Sequence, residues 1–219
     1  LNKLQKQKIL ESENISLSLS EYFENTSVYS KYSIKKLEEV CNVKGGKRLP
    51  KGEKFENNPT NHPYIRVVDF ENRTVSKKKL KYINEKLHRE IKNYTISSND
   101  IYISIAGTIG LVGEIPVELS NANLTENAAK IIINSELIVK KYLIYILNSH
   151  QVKSQIKVRT HSVGVPKLAL ERIKSIEIPL PPIETQNHIV KELDGYQKII
   201  DGCRQVIENY KPSIDIDPN

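Results

Sequence analysis

The sequence has little cysteine, the residue on which disulfide frameworks and most structural zinc sites depend. Its 219 residues include two, Cys41 and Cys203, which lie far apart in the chain. Two isolated cysteines form neither a disulfide framework nor a zinc site. Unpaired thiols are typical of the reducing cytoplasm. We therefore expect a cytoplasmic protein without a bound metal, in which both thiols are buried or half-buried.

Signals for membrane insertion and secretion are missing as well. No stretch approaches the roughly 18 consecutive apolar residues of a transmembrane helix. The first residues, LNKLQKQKILESEN, lack the apolar core of a signal peptide. There is no methionine, even at the first position, so we expect the chain to be part of a longer polypeptide. Hydrophobic residues make up 38% and charged residues 27% of it, which predicts one globular domain with an appendage and no membrane partner.

The sequence also lacks recognisable catalytic motifs. It contains neither a Gly-x-Ser-x-Gly nucleophile elbow nor a Gly-Lys-Ser/Thr phosphate loop. Its histidines are scattered without the spacing of metal ligands. The Asn-Pro-Pro-Tyr motif with which amino-methyltransferases hold a flipped base is missing, and Asn58-Pro59-Thr60 is only a superficial echo of it. We therefore expect a protein that is not an enzyme by itself and that binds no cofactor.

Positive charge is present in excess and is concentrated in one stretch. Basic residues outnumber acidic residues by 33 to 26, and residues 44–92 alone carry 14 basic and 6 acidic side chains. A local field of this sign attracts polyanions, because each phosphate contact releases condensed counterions. A solvated basic surface without a partner is the alternative. Composition favours nucleic acid over that alternative by a small margin.

The pattern of apolar residues predicts an α+β fold. Strands are predicted from β-branched and aromatic content at 64–70, 101–105, 128–133 and 176–180. Helices are predicted at 84–92 and 137–148, and an exposed polar loop at 153–167. The glycines of AGTIGLVGEIP, at positions 107, 110 and 113, favour a tight hairpin over a phosphate loop, because Pro116 and the β-branched residues do not open a helix.

The last element is a predicted helix with a heptad seam. Seven residues follow an alternating spacing of four and three, namely Ile189, Leu193, Tyr196, Ile200, Cys203, Ile207 and Tyr210. Prolines at 182 and 212 bound the helix, whose roughly 28 residues would span about 42 Å. Such a helix is too long to bury its seam on a domain this small, so we expect it to project and pair with another helix. The alternative is a helix that lies across its own domain.

Several segments together resemble the DNA-specificity subunit of type I restriction–modification systems. The most specific is Ile176–Val190 (IEIPLPPIETQNHIV), a strand, a Leu-Pro-Pro turn and a helix start. Further similar segments are Tyr94–Gly113, Leu124–Lys130, Ser162–Leu168 and Glu208–Pro218. The resemblance implies a mixed, β-rich target recognition domain that reads one half of a bipartite DNA sequence, followed by a long coiled-coil helix that acts as a conserved spacer.

The resemblance also implies an organisation and partners. We expect a linker or the tail of a preceding domain at 1–24, the recognition domain at 25–181, the spacer helix at 182–211 and a connector towards a following domain at 212–219. The implied partners are double-stranded DNA, methyltransferase subunits that carry the S-adenosylmethionine chemistry, and a second recognition domain in the same polypeptide or a homodimer mate.

DNA-binding residues are predicted from the basic stretch and the polar loops. Phosphate contacts are assigned to Lys44, Lys47, Arg48, Lys51, Lys77, Lys78 and Lys79. Candidate base readers are Arg66, Arg73, Arg159 and Ser162, because arginine pairs bidentately with guanine. Thr108 and Lys167 complete the set. For any one of these cations an exposed charge or a salt bridge is an equally good explanation, and for Thr108 the closing of a turn is the better one.

Two other functions compete with DNA recognition by a separate subunit. The chain could be the specificity region of a fused restriction–methyltransferase enzyme, and an Asn-Pro-Pro-Tyr motif upstream of Leu1 would decide for that. It could also be a helix-mediated interaction protein with an incidental basic surface, and salt-dependent binding to duplex DNA would count against that.

Overall fold

The computed structural model describes residues 31–160 and 166–209. Within these ranges the protein is a mixed, sheet-rich domain followed by a long C-terminal helix, which confirms the predicted α+β class. Four predictions lie outside the described residues: the linker at 1–24, the connector at 212–219, Ser162 and Tyr210.

The strands and helices alternate irregularly along the chain. The strands are β1 (Ile34–Lys36), β2 (Cys41–Gly45), β3 (Pro63–Ile65), β4 (Phe70–Glu71), β5 (Thr74–Val75), β6 (Lys81–Tyr82), β7 (Thr95–Ile96), β8 (Ile101–Ser104), β9 (Val112–Glu114), β10 (Ala122–Leu124), β11 (Ala128–Ile133) and β12 (Glu177–Pro179). The helices are α1 (Glu85–Glu90), α2 (Lys140–Leu147), α3 (His150–Arg159), α4 (Leu170–Lys174) and α5 (Ile183–Asn209).

The central sheet is antiparallel and has the strand order β2-β11-β8-β9. Ile101 and Ile103 of β8 face the helices, whereas Tyr102 between them faces the opposite side and stacks on Phe70. Successive side chains of a strand point to opposite faces, so β8 is buried on both sides. An apolar run such as the IYI that begins this strand is what a strand covered on both faces requires.

A second sheet has the order β6-β3-β10-β7, in which β3 and β10 run parallel. Helix α1 packs beside it through Leu87, and the side chain of Asn84 caps this helix by accepting a hydrogen bond from the Leu87 amide at 2.9 Å. Residues 125–127 connect β10 of this sheet to β11 of the central sheet. A short turn therefore joins the two sheets at this point.

Two of the predicted elements are wrong. The strand predicted at 64–70 ends at Ile65, because the carboxylate of Asp69 accepts a hydrogen bond from the Arg66 amide at 2.8 Å and closes a 3-10 turn. The segment predicted as an exposed loop from 153 is helix α3 as far as Arg159. The buried residues of α3 are Val152 and Ile156, so its apolar periodicity is weak in the sequence.

Helix α5 divides into a packed half and a projecting half. Ile189 and Leu193 are each 5% exposed and belong to the main core, and Tyr196 packs at its edge. Farther along, Ile207 is 76% exposed. The first half of the seam therefore packs on its own domain, which agrees with the alternative of a helix lying across that domain. The second half projects, as expected for a helix that pairs with another helix. Cys203 lies on the projecting half and is exposed, so the expectation of two buried or half-buried thiols is wrong for it.

Candidate nucleic-acid interface

Segments that are distant in the sequence meet at one end of the central sheet. The Gly46 amide donates to the Ala128 carbonyl at 3.0 Å, and the Ile105 amide donates to the Asn127 carbonyl at 2.8 Å. The Leu168 amide in turn donates to the Ile105 carbonyl at 2.9 Å. These bonds bring together the segments 44–48, 105–110, 125–128 and 166–168.

The approach of the first segment depends on one glycine. A Cβ atom at position 46 would lie 2.1 Å from the carbonyl oxygen of Thr125 and 2.4 Å from that of Leu124. Only glycine fits where two backbones come this close. Gly46 therefore lets the chain after β2 cross over the turn between β10 and β11, and this crossing carries Lys47 and Arg48 to the surface.

Arg48 is oriented by an acid from the facing segment. Its Nε lies 2.6 Å from Oε1 of Glu126, and the Thr125 hydroxyl donates to the other carboxylate oxygen at 2.9 Å. Partial burial acts to raise the pKa of Glu126, but the hydrogen bonds from Arg48 and Thr125 hold it below its ordinary value. The Arg48 side chain is 76% exposed, so its remaining N–H donors face solvent and are free to contact an anion.

Lys47 lies beside Tyr94, a residue that the sequence did not single out. Its Nζ is 5.6 Å from the centroid of the Tyr94 ring, and the ring is at the surface. The Lys47 carbonyl accepts a hydrogen bond of 2.5 Å from the Tyr64 hydroxyl. Burial raises the pKa of Tyr64 to about 12, so this hydroxyl remains a donor. The backbone of Lys47 is thus fixed while its ammonium group stays accessible.

Lys44 lies directly opposite Lys130 across the β2–β11 pair. Like charges in that position repel each other. Lys130 turns aside, because its Nζ donates to the Thr95 carbonyl, and burial lowers its pKa. Lys44 remains exposed and adds a third cation to Lys47 and Arg48.

The glycine-rich segment forms the predicted hairpin between β8 and β9. Gly107 and Gly110 have positive φ values of 72° and 83°, which glycine adopts without strain. The Ser104 hydroxyl donates to the Thr108 carbonyl at 2.5 Å, so Thr108 does take part in closing the turn. Its side chain is exposed at the tip. The tip is further held by Lys153 of α3, whose Nζ donates to the Gly110 carbonyl.

Two lysines from different segments flank this hairpin, and they differ in burial. Lys153 is largely buried, and this burial lowers its pKa to about 8. Lys167 is exposed and forms a β-bridge with Ala106. The exposed charge of Lys167 therefore belongs to the same surface as Thr108, whereas Lys153 supports that surface from within.

The lysine run at 77–79 is exposed and lies on a separate loop. The Nζ of Lys77 is 2.5 Å from a carboxylate oxygen of Glu118. Within the described part of the chain, no acid pairs with Lys78 or Lys79, nor with the exposed Lys51. These three ammonium groups are available to a polyanion.

The predicted base readers make contacts within the protein. Arg66 donates from Nε and Nη2 to the buried carboxylate of Asp69, at 3.1 and 2.9 Å. Arg159 donates to the hydroxyl and the carbonyl of Ser175, at 3.3 and 3.2 Å. Arg73 contacts α2 and α5. Guanidinium groups have five N–H donors, so these contacts leave some free, and the assignment of the arginines to base edges stays a prediction.

The comparison with known proteins identifies the chain's family. Residues 29–209 match the family described as type I restriction modification DNA specificity domain. The chain belongs to this family. It is 27% identical to the EcoBI type I restriction enzyme specificity subunit of Escherichia coli over 145 residues, which cover 66% of this chain and 30% of that protein.

Solved structures of family members have the same fold. The HsdS subunit from Thermoanaerobacter tengcongensis is 16% identical with a TM-score of 0.58, and the match covers 85% of this chain and 45% of that one. A chain from a structure of a type I R-M system is 17% identical with a TM-score of 0.60, covering 80% and 40%. The present specificity domain therefore spans less than half the length of each of these relatives.

The described residues contain neither a metal-binding cluster nor a membrane-spanning helix. In 31–160 and 166–209, no three His, Cys, Asp or Glu side chains are grouped so that they could hold a metal ion. No helix in these ranges is long and apolar enough to cross a membrane.

Three residues of this surface were not among those predicted from the sequence. Glu126 and Asn127 lie within the segment Leu124–Lys130, whose similarity to the family was the available signal. Tyr94 likewise begins the similar segment Tyr94–Gly113, but its position beneath Lys47 depends on a contact between residues 47 positions apart. Such contacts are fixed by the tertiary fold and not by local sequence.

Proposed function

We propose that this specificity domain binds duplex DNA with the end of the central sheet at which the four segments meet, and that it reads one half of a bipartite target there. The observation that supports this proposal is that exposed polar and cationic side chains converge on that end of the sheet. They come from separate parts of the chain, namely Lys44, Lys47, Arg48, Thr108 and Lys167. A rigid backbone scaffold beneath loop side chains is the arrangement on which recognition sites are commonly built.

The two groups of residues have different tasks in this proposal. Lys44, Lys47 and Arg48, with Lys51 and the 77–79 run, contact phosphates and so position the domain. The hairpin tip at Thr108 and the neighbouring Lys167 face base edges, where hydroxyl and ammonium groups discriminate between bases. This division is supported by the rigidity of the tip, which Ser104 and Lys153 hold from below.

The projecting half of α5 pairs with another helix in the same proposal. Its exposed apolar residues include Ile199, Val206 and Ile207, at 64%, 64% and 76% exposure. A second recognition domain of the same polypeptide, or a homodimer mate, supplies the partner helix. Methyltransferase subunits dock on that assembly in the cytoplasm and hold S-adenosylmethionine, and this chain performs no catalysis.

The test is selection of bound sites from randomised duplex DNA, at about physiological salt to suppress non-specific binding. We expect enrichment of one short half-site. A double variant, Lys47→Ala with Arg48→Ala, should lose the enriched binding. Its control is Lys191→Ala with Lys198→Ala, which removes the same charge from exposed positions on α5.

The outcomes of the selection separate the candidate functions. Enrichment that the interface variant abolishes and the control retains supports the proposal. Equal loss in both variants would mean that net charge alone binds DNA. No enrichment, even after addition of a methyltransferase subunit, would contradict recognition and favour the interaction protein with an incidental basic surface.

A further inference from the structure

The two-residue turn between β4 and β5 contains an unusual arginine. Glu71 pairs with Thr74, and the residues between them, Asn72 and Arg73, have positive φ values of 49° and 63°. Two successive positive φ values define a type I′ turn, whose second position normally holds glycine. A non-glycine residue there carries a conformational cost. The side chain of Arg73 is therefore expected to make a compensating contact.

The backbone of this turn is fixed against the central sheet. The Arg73 carbonyl accepts a hydrogen bond of 3.0 Å from the Glu114 amide on β9. A Cβ atom at the neighbouring Gly113 would lie 2.2 Å from that same carbonyl oxygen, so glycine is required for the approach. The Tyr102 hydroxyl donates to the Thr74 carbonyl at 2.9 Å. The turn is thus a rigid part of the domain.

The Arg73 side chain extends from this rigid turn to two helices. Its guanidinium carbon lies 5.4 Å from the centroid of the Tyr145 ring on α2, close enough for a cation–π contact. Its Nη2 donates to the side-chain oxygen of Gln197 on α5. Gln197 follows Tyr196, the last seam residue that packs against the core, and precedes the exposed half of the helix.

A second contact holds α5 one turn earlier. Asp194 accepts a hydrogen bond of 2.5 Å from the Tyr145 hydroxyl and lies 2.8 Å from the Nζ of Lys141. At the start of the helix the buried side chain of Gln186 bonds with the backbone of the loop before α2. Helix α5 is thus held at its start, at Asp194 and, farthest out, by Arg73.

We propose that Arg73 is a positioning residue. Its side chain reaches from the β4–β5 turn to α5 and fixes the angle between α5 and the DNA-reading end of the domain. This inference rests on the proposed function, since that angle sets the separation at which a second recognition domain on the partner helix can reach its half-site. It gives Arg73 a role in spacing specificity instead of the base contact predicted from sequence.

The length of the projecting half makes this contact influential. Cys203 is separated from Asp194, the nearest contact that remains without Arg73, by nine residues, or about 14 Å of helix. A swing of about 10° around Asp194 therefore moves Cys203 by about 2 Å. The displacement grows with distance from Asp194, so residues farther along the helix move more.

The inference is tested by the distance between spin labels on α5 and on the domain. One label is placed on the exposed Cys203, and the other on a cysteine introduced by Lys86→Cys at an exposed position of α1. Cys41 is buried, and burial raises its pKa to about 12, so it does not compete for the label. Labelled protein is diluted into unlabelled protein, so that only distances within one chain are measured.

Two variants and one control are compared with the parent. Arg73→Gly removes the side chain that contacts α5, and glycine suits the type I′ turn, so the fold is retained. Gln197→Ala removes the acceptor on α5. The control, Gln205→Ala, is the same change at an exposed position beyond the domain. We expect a distance distribution that is narrow in the parent and control and that broadens or shifts by about 2 Å or more in both variants.

The result that overturns the inference is an unchanged distribution in Arg73→Gly and Gln197→Ala, or a parent distribution already as broad as theirs. Affinity for the selected half-site is measured in parallel on Gln197→Ala and should remain at the parent value. Absence of half-site binding in the parent would contradict the proposed function, while the distances would still decide whether Arg73 sets the helix angle.

Discussion

Arg48 and Glu126 are 78 residues apart in the sequence, and a hydrogen bond of 2.6 Å joins Nε of Arg48 to Oε1 of Glu126. Glu126 thereby places a negative charge among the exposed cations of the candidate interface. Its side chain is 25% exposed, against 76% for Arg48. The acid orients the arginine and also reduces its attraction for phosphate. At this pair, the contact that orients Arg48 therefore also weakens its binding to phosphate.

The change Glu126→Gln is expected to strengthen DNA binding. The amide keeps an acceptor for Arg48 but removes one negative charge, which should raise affinity for duplex DNA about twofold to fivefold at low salt. Binding is measured by fluorescence anisotropy at several salt concentrations, and the gain should shrink as salt rises. Glu184→Gln, at an exposed position in the first turn of α5, is the control. An equal gain in both variants would show that the position of the charge is unimportant.

The change Lys78→Ala is expected to weaken binding to all sequences alike. Lys78 is exposed on the 77–79 loop, and loss of one phosphate contact should reduce the slope of log affinity against log salt by about 1. The comparison is made with the selected half-site and with a scrambled duplex. Lys198→Ala should leave the slope unchanged. A loss limited to the selected half-site would assign Lys78 to base reading instead.

Elements with strong local signals could be predicted from the sequence. The strand at 128–133 is confirmed without change, because five of its six residues are β-branched or small and apolar, which leaves few alternatives. The helix predicted at 84–92 is confirmed as Glu85–Glu90, with Asn84 as its cap. The long helix begins directly after Pro182. Each of these depends on residues that are close together in the chain.

Features that depend on distant partners could not be predicted. Helix α3 has few apolar residues and is stabilised by burial of Val152 and Ile156 in a core built by other segments. The candidate site shows the same limit. Lysines in the basic stretch were identifiable by composition, but the contact of Arg73 with Gln197, 124 positions away, follows from the tertiary fold.

The change Gly46→Ala is expected to disrupt the crossing beneath the interface. The added Cβ would lie 2.1 Å from the Thr125 carbonyl oxygen, which belongs to the backbone and has little freedom to move. We expect the free energy of unfolding to fall by at least about 3 kcal/mol, measured by urea denaturation. Gly195 lies on α5 with open space around it. Gly195→Ala should instead raise the free energy of unfolding by about 0.5–1 kcal/mol. A mild loss at position 46 would contradict the tight crossing.

The charge of Lys153 is expected to make stability depend on pH. Burial lowers its pKa from 10.5 to about 8, so above pH 8 the unfolded chain binds more protons at this site than the folded chain does. Stability should therefore rise with pH in this range. The cost of burying the ammonium group is complete below pH 8 and disappears as pH rises towards 10.5.

Lys153→Met removes this dependence, because the side chain keeps its apolar length without a charge. From pH 8 to pH 10 the parent should gain stability relative to the variant, on the order of 1–2 kcal/mol once residual solvent screening is allowed for. Lys157→Met, at an exposed position of the same helix, should follow the parent. Parallel curves for the parent and Lys153→Met would show that Lys153 meets enough water to stay charged, and the support that it gives to Gly110 and the hairpin tip would then be a solvated contact.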